Sequence, residues 1–524
     1  MHRKNIPPGK RPGSRLCFFC IGAVLGAGLL LLSSGCSSDT AEKPSLTYWM
    51  ELPEMLDSVT NFGETPFAAE YAKRTGIDIT WIHPSPGKYN ETLDMLIASG
   101  EPLPDIIESN WYSRSPEASI ERGTIMRLND ILVNHAPNLT KFLSENKDID
   151  KSVKTDNGSY YVFPFIRNGE KLITTQGFII RDDWLKELNL ESPGTIDQWE
   201  AVLTTFKEKK GAKAPFIGKT AVLKRFLGGF NTGEGFYVDE GIVKYGPIET
   251  GYKEFVVTMN RWYRNGLIDK NFAIMGSDYM YASMLNGISG ATFGAGGSAM
   301  GVWLNSARTN GDENYSLAAV KFPAPEGQRP SFSAKTWPYE PIDGAAISGD
   351  CKDPALAARL LDYSYSEEGS MLNNFGIEGV SYNMVDGQPV YTGLVTDNPD
   401  GISAAKILPL YVRSANEAPI IQDERYIEQY YQHPAQKKAL EIWSDNEYEK
   451  HSMPHITLAT EELDDYNRIM IDISAYCEEN TEDFIIGSRP IEEFEMFVEE
   501  CKAKHIDRAI AIKQAAYDRY INRQ

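Results

Sequence analysis

The residues whose chemistry most clearly suggests a function in this chain are aromatic side chains that lie among polar neighbours. The sequence holds nine Trp and 27 Tyr, and the rings that lie among polar residues in predicted loops, rather than on helical stripes, are Trp49, Trp111, Tyr112, Trp303, Trp337, Tyr339 and Tyr382. A pyranose has an apolar C–H face and a rim of hydroxyls, so its site needs flat rings beside short polar or charged groups. Asn110, Arg167 and Glu378 could supply those polar contacts. This combination favours a carbohydrate site, and packing in a core or at a partner interface is the alternative for each ring.

Motifs of catalysis are incomplete in this sequence. None of the seven histidines lies in an HExxH arrangement, and Cys and His form no metal-ligand cluster. Residues 296–300 begin like a nucleophile elbow, but Met300 stands where the second glycine is needed. Residues 294–299 fit the dinucleotide pattern GxGxxA deep in the chain, and we interpret them as a loop that lets backbone or ligand approach closely. We therefore predict no catalytic residue, metal or cofactor, while carboxylate pairs for glycoside hydrolysis stay open because their separation depends on the fold.

The first residues have the composition of an export signal. A basic head precedes an uncharged apolar core at residues 16–32, and Ser33, Ser34 and Gly35 lead to Cys36. This order resembles a bacterial lipoprotein signal peptide, although Ser33 stands where such signals have an aliphatic residue, which leaves the cleavage point open. We expect a signal peptide at residues 1–35, lipidation of Cys36, and a flexible tether at residues 36–45. The alternative is an uncleaved membrane anchor of about 17 residues.

Charge and cysteine content exclude further classes of protein. The formal net charge of −21 becomes −26 once the five basic residues before Cys36 are removed. Such a surface repels phosphate backbones and acidic headgroups, so nucleic acid is excluded as a partner. Only Cys351, Cys477 and Cys501 follow Cys36, too few for a disulfide scaffold, so a packed core must supply the stability. A single bridge between Cys477 and Cys501 remains open.

The elements that would position the aromatic residues alternate between strand and helix. Hydrophobic periodicity predicts strands at residues 46–50, 77–82 and 104–107, with helices at 67–74 and 89–98 between them. This order is typical of a parallel sheet with helices on its faces. Further strands are expected at residues 160–163 and 178–180, and helices at 182–188, 195–207, 251–265, 354–365 and through most of 460–524. Trp184, Trp199 and Trp262 lie on helix faces and are expected in the core.

Five segments, taken in order, resemble the family 1 extracellular solute-binding proteins, which are lipoprotein receptors of ABC-type carbohydrate importers. They read SGEPLPDII at 99–107, RDDWLKEL at 181–188, WYRNGLID at 262–269, EGVSY at 378–382 and AYDRY at 516–520. Pro193, Thr195 and Trp199 extend the second segment. The similarity covers nearly all of the chain after Cys36 and is greatest to the long oligosaccharide-binding lipoproteins of Gram-positive bacteria.

The resemblance implies an α/β fold of two lobes joined by crossing strands, with a hinge and a ligand cleft between them. Lobe 1 is expected at residues 46–168 and 336–405, and lobe 2 at residues 169–335 and 406–524. The implied function is binding rather than catalysis: a monomer, lipid-anchored to the outer face of the cell membrane, would capture an oligosaccharide and deliver it to ABC transporter permease subunits. The alternatives are a surface-displayed polysaccharide-degrading enzyme and a receptor that senses or scaffolds without transport.

Position and residue type select the expected ligand-binding residues, because those of the family vary with substrate. They are Trp49, Asn110, Trp111, Tyr112, Arg167, Trp303, Trp337, Tyr339 and Tyr382. Trp303→Ala is expected to abolish most sugar binding and to leave the fold intact.

The resemblance also bears on calcium. Some relatives that bind acidic polysaccharide fragments have a calcium loop shortly after the central helix, where this chain reads KEKKGAKAPF at residues 207–216. Calcium requires several oxygen ligands, and four lysines with one carboxylate do not provide them. We therefore predict no calcium at this position.

Overall fold

The computed structural model describes residues 43–53, 56, 58–415 and 418–523, and within β-strand 339–347 it describes the backbone but not the side chains of residues 340–343. The expected signal peptide, Cys36 and most of the tether lie outside the described residues. Within the described part, no helix is both long enough and apolar enough to cross a membrane.

The strands are β1 Ser45–Trp49, β2 Asp78–Ile82, β3 Ile106–Ser109, β4 Phe163–Asn168, β5 Gln176–Arg181, β6 Phe236–Asp239, β7 Ile242–Tyr245, β8 Ala291–Ala295, β9 Leu317–Val320, β10 Tyr339–Ile347, β11 Tyr382–Val385, β12 Gln388–Tyr391 and β13 Ile421–Asp423. The helices are α1 Pro66–Thr75, α2 Tyr89–Ser99, α3 Pro116–Glu121, α4 Asn129–His135, α5 Pro137–Glu145, α6 Lys147–Ser152, α7 Asp182–Leu188, α8 Ile196–Lys210, α9 Thr220–Leu223, α10 Thr250–Arg264, α11 Ser277–Leu285, α12 Val302–Thr309, α13 Pro354–Tyr363, α14 Glu367–Phe375, α15 Gly393–Thr396, α16 Ala404–Tyr411, α17 Glu424–Tyr430, α18 Pro434–Ser444, α19 Thr460–Ile486, α20 Phe494–Ala503 and α21 Ile506–Asn522.

The larger sheet has six strands in the order β13-β4-β10-β3-β1-β2. Strand β1 pairs in parallel with β2 and β3, as the strand–helix alternation predicts. Strand β10 lies antiparallel to both β3 and β4, so the sheet is mixed. Successive residues of a strand face opposite sides of the sheet, and Tyr48 therefore joins one buried cluster while Trp49 joins another.

The smaller sheet is antiparallel and has the order β8-β5-β9. Phe178 of β5 packs against Trp199 of α8 and Phe226, with ring centroids 5.2 and 4.7 Å apart. Trp184, Trp199 and Trp262 are all buried in this core, which confirms their predicted place. The three C-terminal helices α19, α20 and α21 complete the same cluster.

Three chain passages connect the two sheets. The chain leaves the larger sheet between β4 and β5, returns between β9 and β10, and departs again after β13. Strand β13 pairs in parallel with β4 through Ile421 and Ile166. Pairing within the larger sheet thus extends beyond residue 405, where the sequence prediction ends lobe 1.

Local sequence rules account for most element boundaries. Helix α7 has the predicted limits, and α8 begins after Thr195, whose hydroxyl accepts from the backbone N–H of Gln198 in a capping box. The prediction that a strand begins at residue 160 is wrong. The backbone N–H of Tyr160 donates to Oδ1 of Asn129, and its carbonyl accepts from Leu128, so ladder pairing begins only at Phe163.

Candidate functional site

The segment 452–459, which leads into α19, lies against the larger sheet. The Tyr112 hydroxyl, just after β3, donates to the backbone carbonyl of Ile456. Nε1 of Trp337 donates to the carbonyl of Met453 at 3.2 Å. The segment between α18 and α19, two helices that pack in the core of the smaller sheet, therefore meets strand ends of the larger sheet.

His455 is the central side chain of this contact. Its ring lies edge-on to Tyr112 and Tyr339, with centroid distances of 5.9 and 6.3 Å. Its Nε2 is buried and has no hydrogen-bond partner among the described residues. Burial lowers the pKa of His455 to about 4, and the positive charges of Lys513 and Arg167 act in the same direction. The imidazole is therefore neutral at pH 7 and offers one donor and one acceptor nitrogen.

Lys513, on the C-terminal helix α21, lies near His455. Its ammonium lies 5.0 Å from the ring centroid of Tyr466 and 5.8 Å from that of Phe236. No carboxylate of the described residues forms an ion pair with it. Burial lowers the pKa of Lys513 to about 8.

Four of the residues expected from the sequence meet here. The backbone N–H of Arg167 donates to the carbonyl of Pro338 at 2.8 Å, which sets Arg167 beside Trp337 and Tyr339. The hydroxyls of Tyr339 and Tyr161 are hydrogen-bonded at 3.1 Å. Tyr112 joins this group through His455. We refer to Tyr112, Arg167, Trp337, Tyr339, His455, Tyr466 and Lys513 as the aromatic–cation cluster.

Three other expected residues, two of them tryptophans, lie at or beneath this end of the larger sheet. Trp111 is 1% exposed and donates from Nε1 to the carbonyl of Ile107 at 3.0 Å, while Trp49 is 5% exposed. Both belong to one buried cluster with Tyr161. Asn110 lies between solvent and core, and its Oδ1 accepts from the backbone N–H of Ser113. Trp49 and Trp111 thus form core beneath the aromatic–cation cluster.

The remaining expected residues lie in other parts of the molecule. Trp303 is in α12, is 5% exposed, and stacks on Tyr281 at 6.0 Å while donating to its carbonyl. Tyr382 begins β11 and packs against Phe375 in a separate cluster. The assignment of Trp303 to a loop was wrong, because the short glycine-rich turn before it hides the start of a helix. This burial also argues against the expectation that Trp303→Ala leaves the fold intact.

The glycine-rich stretch forms a structural contact. Strand β8 ends at Ala295, and Gly296–Gly301 is a π-helical turn that leads into α12. A Cβ on Gly296 would lie 2.7 Å from the hydroxyl of Tyr431, and Nε2 of Gln436 donates to the Gly296 carbonyl. The stretch follows an antiparallel strand rather than opening a βαβ unit, so the dinucleotide alternative is excluded. The close approach expected here is present, but it is made by the side chains of Tyr431 and Gln436 to a π-helical turn rather than by backbone or ligand to a loop.

A cavity that sequence reasoning missed adjoins the aromatic–cation cluster. It has a volume of about 270 Å³ and is lined by Lys224, Arg225, Glu234, Phe332, His451 and Met453, among others. The rings of Phe332 and His451 stack at 4.5 Å. Phe332 stands between Ser331 and Ser333, so the criterion of a ring among polar residues could have found it.

Residues 207–216, where calcium was not expected, surround the end of α8. Nζ of Lys207 donates to the carbonyl of Asn265, and Lys210 pairs with Glu187 at 2.6 Å. Among the residues that the structure describes, no three His, Cys, Asp or Glu side chains are grouped as metal ligands.

Comparison with known proteins gives concordant matches. The family model described as bacterial extracellular solute-binding protein matches residues 58–371. The chain is 23% identical to the fructooligosaccharide ABC transporter substrate-binding protein FusA of Streptococcus pneumoniae, over 95% of this chain and 97% of FusA. It is 27% identical to the polygalacturonan/rhamnogalacturonan-binding protein YtcQ of Bacillus subtilis, over 60% of this chain and 62% of YtcQ.

A solved structure supports the architecture. The crystal structure of the alginate-binding protein AlgQ2 without calcium ion superposes with a TM-score of 0.75 at 22% identity, covering 91% of this chain and 99% of AlgQ2. At this identity the likeness concerns the fold, and it agrees with an α/β protein of two lobes.

Proposed function

The chain belongs to the bacterial extracellular solute-binding protein family, and from this premise we propose that it captures an oligosaccharide outside the cell and delivers it to the permease subunits of an ABC transporter. The observation that carries the proposal is the aromatic–cation cluster. It lies where strand ends of the larger sheet meet the C-terminal helices that pack on the smaller sheet. The description of FusA as a fructooligosaccharide-binding protein supports the oligosaccharide class. Aromatic faces beside a neutral imidazole and cations suit sugar C–H faces and hydroxyls.

The proposed mechanism is closure of two lobes around the ligand. Rotation about the crossing strands would change the separation between Lys513 and Tyr466 on one side and Tyr112 and Tyr339 on the other, so that ligand contacts form on both sides only in the closed form. A ligand that gains such contacts shifts the equilibrium toward closure. The closed shape is what a permease would recognise.

Sheet membership supports a modified division of the lobes. We assign lobe 1 to residues 46–168 and 336–423, because β13 pairs with β4. Lobe 2 then comprises residues 169–335 and 424–524. The first two boundaries are those expected from the sequence, and the third is moved past β13.

The anchor belongs to the same proposal. Residues 1–35 would be removed as a signal peptide, Cys36 would carry the lipid, and the protein would act as a monomer on the outer face of the membrane. Cys36→Ala should release the protein from the membrane fraction. Unchanged retention and processing of this variant would contradict the lipid anchor without affecting the binding proposal.

Calorimetry with a panel of neutral and acidic oligosaccharides tests the binding function. We expect one-site binding of at least one class, with a rise in unfolding temperature and no new fragments on chromatography. Trp337→Ala should weaken that binding, whereas Tyr279→Ala, an exposed aromatic outside the cluster, should not. A panel without any binding would refute the receptor function, and released fragments would favour the degrading-enzyme alternative.

A further inference from the structure

The environment of Lys513 indicates the charge of the ligand, and this inference rests on the proposed function. This lysine has no acidic partner among the described residues, unlike the arginines of α19 and α21, which form ion pairs. On the neighbouring elements, Glu462 and Asp156 both accept from Arg519, at 2.7 Å each. Asp465 pairs with Arg508 at 3.0 Å. Glu462, Asp156 and Asp465 are thus already paired with arginine.

The groups around Lys513 do not supply the negative charge that a counter-ion would provide. Tyr466 and Phe236 offer ring faces at 5.0 and 5.8 Å, contacts that are weaker than a direct ion pair. His455 and Arg167 contribute neutral and positive groups on the opposite side. An ammonium that is largely desolvated and lacks an anion is costly, so this arrangement favours a charge partner outside the described residues, such as a ligand.

The same place is open to a ligand. The side chains of Lys513, His455, Tyr466, Phe236 and Arg167 are each partly exposed, in contrast to the fully buried Trp111 beneath them. Nε2 of His455 is a second polar atom there without a partner among the described residues. One unpaired cation and one unpaired imidazole nitrogen, framed by rings, match a sugar that bears an anionic group.

We propose that the oligosaccharide bound by this protein contains a uronic acid, and that Lys513 pairs with its carboxylate while His455 hydrogen-bonds the same sugar unit. A carboxylate is the acid group that a pyranose carries at the position of its primary alcohol, and it retains its charge at neutral pH. The aromatic rings of the cluster would pack on the C–H face of that unit.

Matched probes test the proposal on the intact protein. Trigalacturonate and trimannuronate are compared with their methyl esters, which keep the sugars and lose the charges. We expect at least one free acid to bind more tightly than its ester by about 30-fold or more, as for loss of one partner from a buried charge pair. A sulfated neutral trisaccharide distinguishes any anion from a carboxylate.

Substitutions test whether Lys513 causes the preference for the free acid over its ester. Lys513→Met should remove the preference for the acid over its ester, Lys513→Arg should retain it, and Lys502→Met on the exposed face of α20 should leave it unchanged. The affinity of the native protein for the acid should fall as pH rises above about 8, because free Lys513 loses its proton there. The Lys513→Arg variant should show no such fall, since a guanidinium keeps its charge throughout this range.

The outcomes separate the two levels of inference. Equal affinity for acid and ester, a preference that survives Lys513→Met, or stronger binding of the sulfated probe overturns the uronate proposal while the receptor function stands. A protein that binds neither acidic nor neutral oligosaccharides refutes the receptor function itself, and the uronate proposal with it.

Discussion

Nη2 of Arg413 donates to both carboxylate oxygens of Glu108, at 2.7 and 2.8 Å, within the buried core of the larger sheet. The hydroxyl of Tyr48 donates to the same carboxylate at 2.7 Å. Burial and the neighbouring negative charge of Glu108 raise the pKa of Tyr48. The pair joins β3 to the chain just after α16, more than three hundred residues further along the sequence.

Breaking this pair should destabilise the fold. Arg413→Met leaves the Glu108 carboxylate buried without its cation, and we expect the free energy of unfolding to fall by roughly 3–5 kcal/mol. Urea denaturation measures the change. The double variant Glu108→Gln with Arg413→Met should recover part of the loss, since no lone charge then remains. An unchanged unfolding midpoint for Arg413→Met would contradict the assignment.

The two tryptophans Trp303 and Trp337 should respond differently to replacement by alanine. Trp303 is packed in the smaller-sheet core, so Trp303→Ala should lower stability by about 3–5 kcal/mol. Trp337 retains partial exposure, so its replacement should cost less stability and weaken oligosaccharide binding more. Thermal unfolding and calorimetry on both variants decide the matter. Equal stability losses would show that the difference in burial is not the determinant.

His455 should make stability depend on pH in the weakly acidic range. Its folded pKa of about 4 lies below the ordinary value, so the unfolded state binds the proton more readily and stability falls as pH drops from about 6.5 toward 4. Between pH 7 and 5 the loss attributable to this group should be on the order of 1–2 kcal/mol. His455→Phe should lessen that slope in urea unfolding experiments. An identical slope in the variant would exclude His455 as its source.

The end of α21 should secure the turn at Asp156. Arg519 bridges Asp156 and Glu462, and Arg523 donates to Asp156 as well. Asp156→Asn should therefore increase amide hydrogen exchange at residues 150–157 and 519–523. Asp465→Asn serves as the control. Asp465 pairs with Arg508 of α21 and with Arg468 of its own helix α19, and not with the turn at Asp156. Equal exchange in both variants would contradict this role of Asp156.

The two C-terminal thiols should be able to form a bridge. Sγ of Cys477 lies 3.9 Å from Sγ of Cys501, and the two buried thiols form no disulfide. Oxidised glutathione should join them, with the mass falling by two hydrogen atoms, and the loop so closed should add about 3 kcal/mol to stability. Mass spectrometry under non-reducing conditions and calorimetry test this. A protein that remains fully reduced would show that the helices do not permit bond geometry.

Helices were predictable where their signals are local. The limits of α7 follow from the segment before Pro193, and Thr195 indicates the start of α8 through its capping role. Strand β10 was not predictable, because its partners β3 and β4 lie far away in sequence and nothing local specifies antiparallel pairing. Long-range pairing is a property of the whole chain.

The site was predictable by residue type and less so by location. Tyr112, Trp337 and Tyr339 meet, whereas Trp49 and Trp111 turn inward, because a ring at a strand end can face either the core or the outside. Lys513 was missed although a signal existed. It follows Ala509 by four residues on the buried side of α21, and a lysine at the edge of an apolar stripe is unusual enough to question.

The insertion of β10 between β3 and β4 has a consequence for how the protein folds after export. A chain that emerges from its N-terminus presents β3 and β4 well before residues 339–347 become available to pair with them. Until then both strands have open edges, which are templates for intermolecular association. Folding should therefore be slow to complete and sensitive to protein concentration, and refolding from urea should lose yield to aggregation as the chain concentration is raised.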